Sequence, residues 1–132
     1  MAEGLFNAAA ARAGLRARAR SCGLSAFAGA PVTPEAARAA FDRGADITGH
    51  IAVRAEEGMA AGAACILCMT GGHAAALRRL FPARAARIGT LDDADIIDPF
   101  GRGEAAYQAA ARQIADAVDR LVERLSREQA GA

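Results

Sequence analysis

From Glu104 to about Arg127 the apolar side chains Tyr107, Ala111, Ile114, Val118, Leu121 and Leu125 recur in alternating steps of four and three. That spacing lines one face of a helix, and packing on the domain's own sheet explains it more simply than a coiled coil. Residues 1 to about 13 form an Ala-rich amphipathic pattern closed by Gly14, the residue type that ends helices in the left-handed conformation. This helix opens without Ser, Thr, Asp or Asn to hold its first amides. Thr33-Pro34-Glu35 starts another, with Thr as cap and Pro at the first helical position, running to about Arg43 before Gly44. Gly72 to Phe81 predicts a helix stopped at Pro82, and 55–61 a weaker one. Three segments read as strands: Ala17 to Cys22, Ala86 to Thr90, and the almost unbroken apolar run from Ala64 to Met69, expected to be buried on both faces. A Gly-, Ala- and Pro-containing loop covers 23–33, and an acidic loop follows Thr90. Helices alternating with short strands indicate an α/β sandwich with a mainly parallel sheet.

A length of 132 residues allows one domain with a real core. Apolar residues are 53% of the chain and aromatics only 5%, so that core must be built from Ala, Leu, Ile and Val. Sixteen basic residues, all Arg, against fifteen acidic ones leave a net charge of +1. That balance gives no electrostatic case for nucleic acid or an anionic membrane as partner. The opening Met1-Ala2-Glu3-Gly4-Leu5 has neither a basic region nor an unbroken apolar run, which predicts a cytoplasmic protein without signal peptide or membrane span.

Cys65 and Cys68 form a C-x-x-C. Residues three apart in a strand point to opposite sides, so the pair is read as buried structural thiols rather than a metal or redox site. Asp92, Asp93, Asp95 and Asp98 could chelate a hard cation, but a solvated loop is the simpler reading. Asp98 stands apart because Pro99, Phe100 and Gly101 follow it, a sequence suited to presenting a carboxylate rigidly beside an apolar wall, as a general acid requires. His50 and His73 read as ordinary surface or hydrogen-bonded histidines, and Gly71-Gly72 as a plain helix start.

Five segments carry a wider pattern: Met1-Ala2-Glu3-Gly4-Leu5-Phe6, Ser21-Cys22-Gly23, Ala30-Pro31 through Gly44 to Asp46-Ile47 and Gly49-His50, Ile66-Leu67-Cys68-Met69, and Asp98-Pro99-Phe100. In this order and spacing they resemble the low-molecular-weight protein-tyrosine-phosphatase family across essentially the whole chain. Phe100-Gly101 in place of two tyrosines, and Met69-Thr70 in place of Met-Asp, look like its protein-arginine-phosphatase branch.

The resemblance implies a three-layer sandwich whose small, mainly parallel sheet has four strands in the family, with helices on both faces. It also implies a loop cysteine that attacks phosphorus from a helix N-terminus and forms a phosphocysteine intermediate. Asp98 would be the general acid and then the general base, Ser21 and His50 would support the loop, and Phe100 would wall the substrate pocket. No cofactor or metal is implied, and the partner is a phosphorylated protein carrying phosphoarginine or phosphotyrosine. None of Cys22, Cys65 and Cys68 opens a C-x5-R, so the nucleophile and the phosphate-gripping Arg are not in this sequence. The expectation is therefore a single domain, 1–132, truncated at its N-terminus, lacking the first strand and loop, inactive and poorly folded as it stands. The alternatives are a catalytically inactive remnant acting as a binding module, and an arsenate reductase of the same fold.

Overall fold

The computed structural model describes residues 1–23 and 29–131. In chain order they form α1 (Ala2–Ala13), α2 (Pro34–Phe41), α3 (Glu57–Gly62), β1 (Ile66–Cys68), α4 (Gly71–Leu80), a 3₁₀ segment (Pro82–Arg87), β2 (Ile88–Thr90) and α5 (Glu104–Ala130). The loop expected over 23–33 lies partly outside the described residues.

The helix ends follow local chemistry. Gly14 closes α1 at φ 68°, and its amide turns back to the Ala10 and Ala11 carbonyls. Thr33 caps α2, accepting the Ala36 amide at 3.2 Å, and Pro34 sits at the first helical position. α1 starts without a side-chain cap, as the sequence predicts.

β1 and β2 pair in parallel, with Ile66 opposite Ile88 and Cys68 opposite Thr90. Ile66, Cys68 and Ile88 pack towards Ala74 and Leu77 of α4. On the other side Met69, Leu91 and Ile96 join Leu5, Phe6, Ala9 and Ala10 of α1 and Ile114, Val118 and Val122 of α5. The result is a small parallel sheet between helical layers, an α/β fold. Alanine lets the helices approach closely: Ala39, Ala40 and Ala111 are wholly buried.

Two sequence expectations need correction. Residues 17–22 form no strand; next to them only Gly23 makes a bridge, in parallel with Arg54. The segment is nevertheless extended in effect, with Ala19 and Ser21 half-buried between exposed Ala17, Arg18, Arg20 and Cys22. Its hydrogen bonds go to α1 instead of to a ladder: Asn7 both donates to the Ala19 carbonyl (3.0 Å) and accepts its amide (2.8 Å). Nor is the 64–69 run buried on both faces, since the β1 residues are only half-buried and Cys65 is exposed. β1 has β2 on one edge and α4 on one face, and among the described residues no strand lies on its other edge.

Among the described residues no helix is long and apolar enough to cross a membrane.

Candidate active site

Ser21 and His50 meet through a residue that the sequence marked only as part of a helix motif. Glu3, in the first turn of α1, accepts the Ser21 amide at 2.7 Å and its hydroxyl at 3.1 Å, both on Oε1. Its Oε2 lies 3.3 Å from His50 Nδ1. One carboxylate thus joins the extended segment to the Ile47–His50 turn, where the His50 amide donates to the Ile47 carbonyl.

The spacing explains the fit. Glu3 and Asn7 are four residues apart on one helix face, about 6 Å of rise. Ser21 and Ala19 are two apart in extended chain, about 6.6 Å. An Ala-rich helix with two polar side chains at that interval is the signal that could have exposed the pairing. Glu3, Asn7, Ser21 and His50 border an open hollow of about 620 Å³, lined also by Arg20, Asp46 and Ile51. Beside it Asp46 accepts the Thr48 amide (3.0 Å) and hydroxyl (2.7 Å), which hold its carboxyl below the usual range.

Asp98 and Phe100 do not line this hollow. They sit on an exposed turn in which Asp98 Oδ1 accepts the Phe100 amide at 3.1 Å and the Arg102 amide donates to the Pro99 carbonyl at 2.9 Å. Gly101 takes φ 75° to close that turn. Phe100 is 72% exposed, so its ring stands as a free apolar surface beside the carboxylate rather than as part of an enclosed pocket.

Two other members of the acidic run, Asp92 and Asp95, are used within the fold. Asp92 is held by Gln113 and Arg120, and Asp95 Oδ1 accepts the Gly71 amide at the start of α4. Among the described residues no group of three or more His, Cys, Asp or Glu is placed to hold a metal ion. His73 is exposed in the first turn of α4, its amide capped by Thr70.

The expected burial of the C-x-x-C does not hold for Cys65, which is exposed, and holds only in part for Cys68. Cys68 packs against the cluster under α4. Partial burial pushes the Cys68 thiol up. Cys22 is exposed by surface area, yet neighbouring protein atoms desolvate its sulfur enough to push the thiol up despite Arg20 nearby. Both are held away from the thiolate form that a nucleophile needs.

Residues 1–130 match the low molecular weight phosphotyrosine protein phosphatase family. The chain belongs to that family. Among its curated relatives, the "Protein-arginine-phosphatase" of Bacillus subtilis is 27% identical over 135 residues, covering 98% of this chain and 89% of the relative. The "Probable low molecular weight protein-tyrosine-phosphatase EpsP" of Ralstonia nicotianae is 30% identical over 108 residues, 80% of this chain and 74% of the relative. The solved structure of the YwlE arginine phosphatase from Geobacillus stearothermophilus superposes with a TM-score of 0.87 at 26% identity, over 98% of this chain and 88% of that one. The family membership makes the chain a protein phosphatase by descent.

Proposed function

We infer that this domain works in a cysteine-dependent phosphoprotein phosphatase, with phosphoarginine preferred over phosphotyrosine and Asp98 as the acid and base. The observation that carries this reading is the Asp98 turn. A solvent-facing carboxylate is tied to the Phe100 amide on a Pro-Phe-Gly turn, in a chain of a phosphatase family. In the first step a loop thiolate attacks phosphorus, the bond from phosphorus to the leaving nitrogen or oxygen breaks, and Asp98 gives that atom its proton. In the second, water attacks the phosphocysteine, Asp98 takes the water's proton, and inorganic phosphate leaves with the thiolate restored. Ser21 and His50, joined by Glu3, would brace the loop.

The chemistry needs a C-x5-R loop, and none of Cys22, Cys65 and Cys68 opens one. The 132 residues alone are therefore expected to give no turnover. The lean towards phosphoarginine draws support from Phe100-Gly101, which offers one ring wall instead of two, and from the arginine-phosphatase relative.

A chimera tests this, with a designed strand and a C-x5-R loop ending in Ser-Pro joined ahead of Met1. Asp98→Asn should then slow kcat by roughly 10²- to 10⁴-fold on substrates with poor leaving groups and much less on good ones. Equal losses on both would argue against Asp98 as the acid. Comparing kcat/KM on matched peptides decides the substrate, and a clear preference for phosphotyrosine would overturn that part.

A further inference from the structure

α5 grips the loop that leads into the Asp98 turn. Gln113 Nε2 donates to Asp92 Oδ2 at 3.0 Å, to the Ala94 carbonyl at 3.1 Å and to the Asp95 carbonyl at 3.4 Å. Arg120, seven residues on along the same helix face, donates to Asp92 Oδ1 at 3.1 Å. The far side of the loop is also fastened. Asp95 Oδ1 accepts the Gly71 amide at 2.9 Å, and the Ile96 amide donates to the Met69 carbonyl at 2.9 Å. Ile96 itself is 3% exposed and belongs to the core.

Asp98 follows two residues later, with Ile97 between them 57% exposed. The turn ends at Gly103, where α5 begins and Glu104 pairs with Arg38 at 2.9 Å. The position of the Asp98 carboxylate is thus set by its own short turn and by the two points from which that turn hangs. Gln113 holds the first of these: its amide touches Asp92, Ala94 and Asp95 together.

Resting on the reading of Asp98 as the acid, we propose that Gln113 is a positioning residue for it, holding the 92–96 loop so that the carboxylate meets the leaving atom. An amide suits this place because all three partners are oxygen acceptors, two of them backbone carbonyls that no titration can alter. A carboxylate of the same shape would set four acceptors against one another. A hydrogen bond to Asp92 alone would not require a three-way contact, whereas fixing the path of a loop does.

The test compares Gln113→Ala, which removes all three contacts in a residue type that favours helix, with the isosteric Gln113→Glu, which repels them. In the 132-residue chain, amide hydrogen exchange across Ile96–Arg102 should quicken about tenfold in both variants while protection in α1 stays unchanged. In the phosphatase chimera, kcat on poor leaving groups should fall about tenfold with KM unchanged, and good leaving groups should lose no more than about twofold. Unchanged exchange in the loop, or equal losses on both substrate classes, overturns the proposal. If Asp98→Asn shows the leaving-group dependence and Gln113→Ala does not, the role of Gln113 fails alone. If Asp98→Asn lacks that dependence, the acid assignment fails and takes this inference with it.

Discussion

Asp92 shows how a residue can belong to a conspicuous acidic run and yet serve the fold. Gln113, first, then the Asp93 amide and Arg120 hold its carboxyl below the usual carboxylate range, against the opposing effect of partial burial. Because the folded value is depressed, the stabilisation is present above the unfolded carboxylate value of about 3.9 and is lost as pH falls through the lower folded value. Thermal melts taken from about pH 6 down to pH 3 should therefore show Tm dropping below about pH 4, and Asp92→Asn should drop less steeply there. A variant curve parallel to the wild type would show that Asp92 contributes nothing. Sequence pattern alone could separate Asp98 from its neighbours, because Pro99 and Gly101 constrain its turn locally. It could not reveal that Asp92 and Asp95 are occupied, because their partners Gln113 and Gly71 lie more than twenty residues away or on another element.

At the scale of elements, α1 is set against the 45–50 segment by Gly4. A Cβ at that position would collide with Cγ2 of Ile47, a methyl on the β-branch of a buried side chain whose χ1 is restricted. Alanine would favour the helix by about 1 kcal/mol, but overpacking costs about 1–3 kcal/mol, so Gly4→Ala should be net destabilising. Ile47→Ala alone costs about 2–5 kcal/mol, and it should cost less when Gly4→Ala is already present. Urea midpoints of the four proteins check this, and strictly additive costs would contradict it. The same close approach lets Glu3 reach both Ser21 and His50. It also shows why residues 17–22 read as a strand and are not one. The alternation of inward and outward positions is real, but it faces a helix that supplies side-chain partners, and a ladder needs another backbone.

For the molecule as a whole, the helical layers are tightly joined while the sheet is thin. α1 and α2 each pack on α5 through buried alanines, whereas β1 is half-buried and paired on one edge only among the described residues. An open strand edge invites association, so the 132-residue chain should melt over a broad range and aggregate as concentration rises. Sedimentation and thermal melts test this; a monomer with one sharp, reversible transition would refute it. The helices were legible from sequence because their signals are local: Thr33-Pro34 at a start, Gly14 at an end, and a three-and-four spacing from Tyr107 to Leu125. Tertiary structure decided which hydrogen-bond partner the extended 17–22 segment takes, how far the C-x-x-C is covered, and that Glu3 would join Ser21 to His50. Each of these depends on groups distant in the chain meeting in space. An extended segment's amides are satisfied equally well by a strand's carbonyls or by a helix's Asn and Glu, so no local pattern distinguishes the two.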